Sequence, residues 1–114
     1  MNQDLAPEPA LHVWPLPYES RLVARPPDQI DLVVIHCTEL PDMAMARAYG
    51  DRDLYPSGTG HSGHFYSARA GSIIRYVPMD RIANHTRGFN PRSIGIEIVN
   101  IGRYPHWLDS RHQA

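Results

Sequence analysis

Two apolar segments constrain the fold of this chain more than any other feature, because each carries one chemically capable side chain. The first is Asp31-Leu-Val-Val-Ile-His36-Cys-Thr38, and the second is Ser93-Ile-Gly-Ile-Glu97-Ile-Val-Asn100. Their length and their β-branched residues are typical of buried strands. Burying a histidine or a carboxylate is costly unless a metal, a charge or a hydrogen bond compensates, so the two segments together indicate a hydrolytic site.

Side-chain alternation along these strands divides each segment into two faces. Both faces of the first segment are apolar, which predicts a central strand of the sheet. His36 and Cys37 point to opposite faces and cannot bind the same metal, and Cys37 is expected to be a small core residue. Glu97 points away from the face formed by the neighbouring isoleucines, and Gly95, two residues earlier, would leave room for a ligand.

The remaining segments predict a mixed sheet with a helix on one face. We expect strands near 31–37, 64–69, 72–77 and 93–100, a hairpin about Ala70-Gly71, and a helix near 41–49 that ends at Gly50. Residues 1–29 are rich in proline and polar side chains, which predicts an extended N-terminal arm. Residues 55–63 hold three glycines, one proline and two serines, and this composition suits a loop at the rim of a cleft.

Composition excludes several classes of function. The net charge of −1 provides no basic field for nucleic acid. No apolar run approaches the roughly 18 residues of a membrane span. The first twenty residues show no basic start followed by an apolar stretch, so a cytoplasmic location is expected, with a periplasmic one left open.

Five motifs, taken in order, resemble the type-2 class of zinc-dependent N-acetylmuramoyl-L-alanine amidases, which are related to the peptidoglycan recognition proteins. The similarity covers roughly residues 28–110, and the ordered set is far more specific than any single motif. It implies an α/β fold with a mixed central sheet flanked by helices, in which residues 30–114 form the N-terminal part of the amidase domain. The motifs are Val-Val-Ile-His36-Cys-Thr, Ser62-Gly-His64-Phe-Tyr, Gly71-Ser-Ile, Tyr76-Val-Pro-Met-Asp80-Arg-Ile-Ala-Asn-His85 and Ser93-Ile-Gly-Ile-Glu97.

The resemblance also implies roles for individual residues and a substrate. His36 would be a Zn²⁺ ligand, and Glu97 would act on the zinc-bound water in cleaving the bond between N-acetylmuramic acid and L-alanine of muropeptides. Family members continue with a helix, a second histidine ligand, a lysine and an aspartate ligand, whereas this chain ends at Ala114 and contains no lysine. The resemblance therefore implies a domain that is incomplete at its C-terminus, with weak zinc binding and little turnover. The alternative is a non-catalytic module that binds muropeptides.

Other polar residues are candidates for substrate contact. His64 could face the cleft or fix the hairpin through a backbone hydrogen bond, and His85 stands in a polar loop before the second core strand. Asn90 and Arg92 suit peptide carboxylates, although a solvated loop is the alternative. No further histidine stands in a convincing second-ligand context, since alternation separates His61 from His64.

Overall fold

The structure is a computed structural model, and it describes residues 10–101. Five strands form one mixed sheet in the order β1-β4-β3-β5-β2, which confirms the predicted α/β class. The strands are β1 (Leu11–Val13), β2 (Leu32–Cys37), β3 (Phe65–Ser67), β4 (Ile73–Arg75) and β5 (Ser93–Ile98); the helix α1 is Met43–Gly50, and short 3₁₀ turns occupy Glu19–Arg21, Pro27–Gln29 and Asn90–Arg92. No helix within 10–101 is long and apolar enough to cross a bilayer.

The two apolar segments that carry His36 and Glu97 pair with each other, as a site formed by both residues requires. β2 and β5 run parallel, and their register places Leu32 opposite Ser93 and His36 opposite Glu97. Because side chains at paired positions point to the same face of a sheet, His36 and Glu97 emerge side by side near the C-terminal ends of their strands.

The predicted hairpin is present but its strands are shorter than expected. β3 and β4 pair antiparallel, with Tyr66 opposite Ile74. β3 also pairs in parallel with β5, which places Tyr66 beside Glu97. The pairing of β3 with β5 therefore brings the Tyr66 phenol and the Glu97 carboxyl onto the same face of the sheet.

Residues 10–29, the described part of the extended N-terminal arm that the proline content predicted, are packed into the fold, and residues 1–9 of that arm lie outside the described residues. β1 adds to the sheet by parallel pairing with β4. Beyond it, Leu16, Tyr18 and Leu22 are buried in the core. Burial of these side chains outweighs the extended preference of the intervening prolines, since each buried large apolar side chain contributes about 2 kcal/mol.

Helix α1 begins two residues later than predicted because Asp42 caps it. The Asp42 side chain accepts a hydrogen bond from the Met45 backbone N–H at 2.9 Å, which satisfies one of the free donors of the first turn. Near the other end, the guanidinium of Arg47 lies 4.1 Å from the centre of the Trp14 ring. Arg47 also donates to the Trp14 and Pro15 carbonyls, so α1 is tied to the N-terminal segment.

Strand β2 lies at the edge of the described sheet, not at its centre. One of its faces is open: Val33 is 53% exposed and Ile35 is 66% exposed. Cys37 on the same face is exposed as well, so the expectation that it is a core residue is wrong. Alternation reports which positions are apolar, but it does not report how many strands or helices lie against them.

Candidate functional site

A cavity of about 200 Å³ lies between α1 and the C-terminal ends of β2 and β5. It brings together the two residues that the sequence singled out, His36 and Glu97, and it adds His61 and Tyr66. The remaining lining residues come from the end of β2, the following loop and α1, and they are Cys37, Thr38, Leu40, Ala46 and Tyr49.

Glu97 carries a buried carboxyl group, and one of its oxygens lacks a hydrogen-bond partner in the described part of the chain. It is 5% exposed, and its Oε2 atom has no hydrogen bond within residues 10–101. Burial raises the pKa of Glu97 to about 7, because a charged carboxylate loses hydration that nothing in its surroundings replaces. The group can therefore both accept and release a proton near neutral pH.

Gly63 provides the space for the Glu97 side chain. A Cβ atom at this position would lie 3.0 Å from Glu97 Cγ and 3.0 Å from the Gly95 carbonyl oxygen. A larger residue would fit only if the Glu97 side chain or the Gly95 backbone shifted. Gly63 therefore helps to shape the site. The sequence indicated only that it lies in a loop.

His36 is held by two polar groups of the loop that precedes β5. Its Nε2 atom lies 3.0 Å from His85 Nδ1 and 2.9 Å from Thr86 Oγ1. Burial lowers the pKa of His36, so the ring is neutral and keeps one nitrogen lone pair. A neutral imidazole is the form that binds a metal ion or accepts a hydrogen bond.

His85 is packed between His36 and strand β5. Its ring lies against Gly95, where a Cβ atom would come within 2.6 Å of His85 Cγ. The space that Gly95 was expected to leave for a ligand is therefore filled by this ring. His85 Nε2 lies 2.9 Å from Ser93 Oγ, and burial together with the nearby His36 and His64 rings lowers the pKa of His85 to about 4.

Asn90 shapes the loop that carries His85. Its side-chain oxygen accepts hydrogen bonds from the backbone N–H of His85 at 3.0 Å and of Thr86 at 2.7 Å. Asn90 also lines a second, larger cavity. Its predicted substrate contact stays a prediction, and its observed bonds position His85 and Thr86.

His64 has no exposed surface. Its Nδ1 atom accepts a hydrogen bond from the Gly95 backbone N–H at 3.1 Å, and its Nε2 atom lies 2.9 Å from the Arg81 carbonyl oxygen and 3.0 Å from Arg25 Nη2. Burial lowers the pKa of His64 to about 4. Of the two alternatives drawn from the sequence, the geometry matches the one in which His64 fixes the backbone, and it offers no surface to a substrate.

Arg92 lies away from both cavities. Its guanidinium donates to both carboxylate oxygens of Asp31, at 2.6 and 2.9 Å. This pair lies at the start of β2 and β5, whereas His36 and Glu97 lie toward the other end of the same strands. The structure therefore does not bring Arg92 together with the other candidates.

The second cavity, of about 570 Å³, adjoins the first through His61. The rim predicted for residues 55–63 is present, since Tyr55, Ser57 and His61 line this cavity. The sequence did not single out Thr86, and alternation set His61 aside as a second ligand, although His61 lines both cavities. The sequence shows that Thr86 follows His85 directly. Only the tertiary structure shows that both side chains contact His36.

The described residues do not form a complete zinc site. No group of three or more histidine, cysteine, aspartate or glutamate side chains within 10–101 is placed to hold a metal ion. A catalytic zinc ion takes about three protein ligands. His36 is the predicted ligand, and this part of the chain offers no set of three with it.

The sheet thus places a buried carboxyl beside a histidine at the ends of two neighbouring strands. Residues 26–114 match the family model of the N-acetylmuramoyl-L-alanine amidases, and the chain belongs to this family. None of the curated proteins compared with the chain matches it.

A solved structure of a mutant endolysin from Bacillus subtilis is similar in fold, with a TM-score of 0.60 and 22% sequence identity over 81% of this chain. The chain spans 62% of the length of that endolysin chain. At this identity the similarity bears on the fold alone.

Proposed function

We propose that this chain carries the core of a peptidoglycan amidase, which hydrolyses the amide bond between the lactyl group of N-acetylmuramic acid and L-alanine. The observation that carries the proposal is the buried Glu97 carboxyl, one oxygen of which lacks a hydrogen-bond partner within the described chain, on the same face as His36. A carboxyl is costly to bury in this way for packing alone, and membership of the amidase family gives the chemistry that it would serve.

The proposed role of Glu97 is to move one proton. With a pKa raised by burial to about 7, its carboxylate takes a proton from the attacking water and passes it to the leaving amine of L-alanine. Tyr66 stays protonated beside it, because burial raises the pKa of Tyr66 to about 12. Its phenol lies 3.1 Å from Ser62 Oγ, which holds the hydroxyl in place.

Within residues 10–101, His36 is the one residue that we propose as a zinc ligand, and the proposed zinc dependence rests on it. We assign it this role because its ring is neutral and its Nδ1 atom has no hydrogen bond within the described chain. The other ligands that zinc needs are not grouped with it in residues 10–101.

The two adjoining cavities suit an extended substrate with a sugar and a peptide part. Their shared residue, His61, lines both the smaller cavity, which contains Glu97, and the larger one. We propose that the scissile amide occupies the smaller cavity and that the rest of the muropeptide extends into the larger one. A cavity of about 570 Å³ falls in the range of small-molecule sites.

A second candidate is a muropeptide-binding module without turnover. The lack of a three-ligand group in residues 10–101 favours this alternative. Both candidates predict muropeptide binding, and only the amidase predicts that a protein with a complete ligand set releases peptides through Glu97.

The deciding experiment measures peptide release from muropeptides by mass spectrometry. We expect little or no release by the 114-residue chain, and chelator-sensitive release of peptides with a free L-alanine amine by a version extended to include further zinc ligands. In the extended protein, Glu97→Gln should retain zinc and lose most turnover, because the amide cannot accept the proton. His36→Ala should lose both.

Glu19→Gln is the matched control, since Glu19 lies in a 3₁₀ turn outside both cavities. It should leave turnover unchanged. An extended protein that binds muropeptides and zinc without cleaving them would support the binding module. Full activity of Glu97→Gln would remove Glu97 from the reaction.

A further inference from the structure

Four side chains form a continuous hydrogen-bonded chain behind the site. His36 Nε2 lies 3.0 Å from His85 Nδ1, and Thr86 Oγ1 bridges these atoms at 2.9 and 3.1 Å. The opposite nitrogen of His85, Nε2, lies 2.9 Å from Ser93 Oγ. Each neutral histidine has one N–H donor and one acceptor nitrogen, so the protons must be arranged to suit every contact.

Counting donors leaves two arrangements. When both rings carry their protons on Nε2, His36 donates to Thr86 and His85 Nδ1, and His85 donates to Ser93 Oγ. When both rings carry their protons on Nδ1, His85 donates to His36 Nε2 and Ser93 donates to His85 Nε2. A mixed arrangement would set two donors or two lone pairs against each other at 3.0 Å, and the single Thr86 hydroxyl proton could serve only one of two facing lone pairs. Leaving a buried polar group unsatisfied is costly, so the mixed arrangements are disfavoured.

We propose that His85, anchored by Ser93 and bridged by Thr86, is a positioning residue that sets the tautomer of His36. The two rings change tautomer together, so the hydroxyl of Ser93 is coupled to the nitrogen that His36 presents to the smaller cavity. The inference rests on the proposed function only in assigning His36 a role in the site.

The coupling matters because one arrangement alone prepares His36 for use. With both protons on Nε2, His36 Nδ1 keeps a free lone pair, and Nδ1 is the ring nitrogen that has no hydrogen bond within residues 10–101. With both protons on Nδ1, that position carries a proton instead and repels any electrophile. Partners on the far ring nitrogen commonly orient a functional imidazole in this way.

The surroundings hold His85 in the required position. Its ring is 5% exposed and lies against Gly95, where there is no room for a Cβ atom. Asn90 fixes the backbone on either side of the peptide bond between His85 and Thr86. These contacts hold the His85 ring against the sheet, with Nδ1 toward His36 and Nε2 toward Ser93.

The test is nuclear magnetic resonance of the full chain labelled with ¹⁵N. Long-range ¹H–¹⁵N correlation identifies which nitrogen of each ring carries the proton, and a coupling across the hydrogen bond should join His36 Nε2 to His85 Nδ1. We expect both rings to show the same tautomer. Opposite tautomers in the wild-type chain, or no coupling between the two rings, would overturn the proposal.

Variants then test the coupling. His85→Gln retains an amide near Ser93 but removes the group that faces His36, so the coupling should vanish and the His36 nitrogen shifts should move. Thr86→Val should also move these shifts, whereas Thr86→Ser, which restores the hydroxyl, should bring them back.

His12→Gln is the control, because His12 is an exposed residue of β1. It should leave the His36 signals unchanged. Unchanged His36 shifts in a folded His85→Gln chain would contradict the proposal, and if no variant folds, the wild-type spectrum still decides. These readouts need no turnover, so the failure of this inference and the failure of the amidase proposal are distinguishable.

Discussion

Gly95 is the position where a single methyl group should do the most damage to the site. In Gly95→Ala, the new Cβ atom would lie 2.6 Å from His85 Cγ, 2.7 Å from Nδ1 and 2.8 Å from Cδ2. These are distances to the body of a ring, which cannot bend away as a flexible chain end can. The ring must move as a whole, and its bonds to Ser93 and His36 must lengthen or break.

The expected cost follows from these contacts. Overpacking of a core costs about 1–3 kcal/mol, and two lost hydrogen bonds cost about 1 kcal/mol each. Replacing glycine by alanine in a strand recovers about 0.5–1 kcal/mol of backbone entropy. The net loss in the free energy of unfolding should be about 2–4 kcal/mol.

Urea denaturation measures this loss as a lower midpoint at an unchanged slope. Gly50→Ala is the matched control: its Cβ atom would meet the nearest heavy atom at an ordinary 3.6 Å, so its stability should equal that of the wild type or exceed it slightly. A Gly95→Ala chain within about 0.5 kcal/mol of the wild type, below the overpacking cost alone, would refute the close packing of His85 on Gly95.

Three further predictions concern other parts of the fold. Burial raises the pKa of Glu97 from 4.5 to about 7, so the folded chain holds a proton that the unfolded chain releases, and the contribution of Glu97 to stability falls as pH rises through this range. The lowered pKa values of His64 and His85 act in the opposite direction in both proteins. Denaturation should therefore show that the stability of the wild type relative to Glu97→Gln falls as pH rises through this range. Asp42→Ala should cost about 1 kcal/mol in thermal unfolding through loss of the helix cap, and Asp42→Asn should restore most of it. Arg25→Lys should lower the unfolding midpoint clearly, because the buried guanidinium donates to the Met79, Asn90 and Ser93 carbonyls and an ammonium cannot reproduce that planar fork; an unchanged midpoint would show that these bonds contribute nothing.

The sequence predicted the strands of the site because each strand is a local pattern. The apolar alternation around His36 and Glu97 located β2 and β5 within two residues, and the turn residues located the hairpin. The sequence could not predict the edge position of β2, since an apolar face looks the same whether or not another element covers it. β1 was missed because three residues among prolines carry too weak a pattern.

The support around the site was harder to predict than its two central residues. The burial of His64 depends on the Arg81 carbonyl and the Gly95 N–H, and these groups meet only in the folded chain. The same holds for His85, whose ring occupies the space that Gly95 leaves. Alternation identifies which way a strand residue points, but it does not identify which loop residue fills the space in front of it.

The central claim is that Glu97 exchanges a proton near neutral pH, and its carboxyl can be observed directly. Titration of the ¹³C-labelled side-chain carboxyl in the 114-residue chain, with Glu97→Gln to assign the signal, should give a midpoint at a pKa of about 7. A midpoint near the ordinary glutamate value of 4.5 would contradict both the burial of this carboxyl and its exchange of a proton near neutral pH.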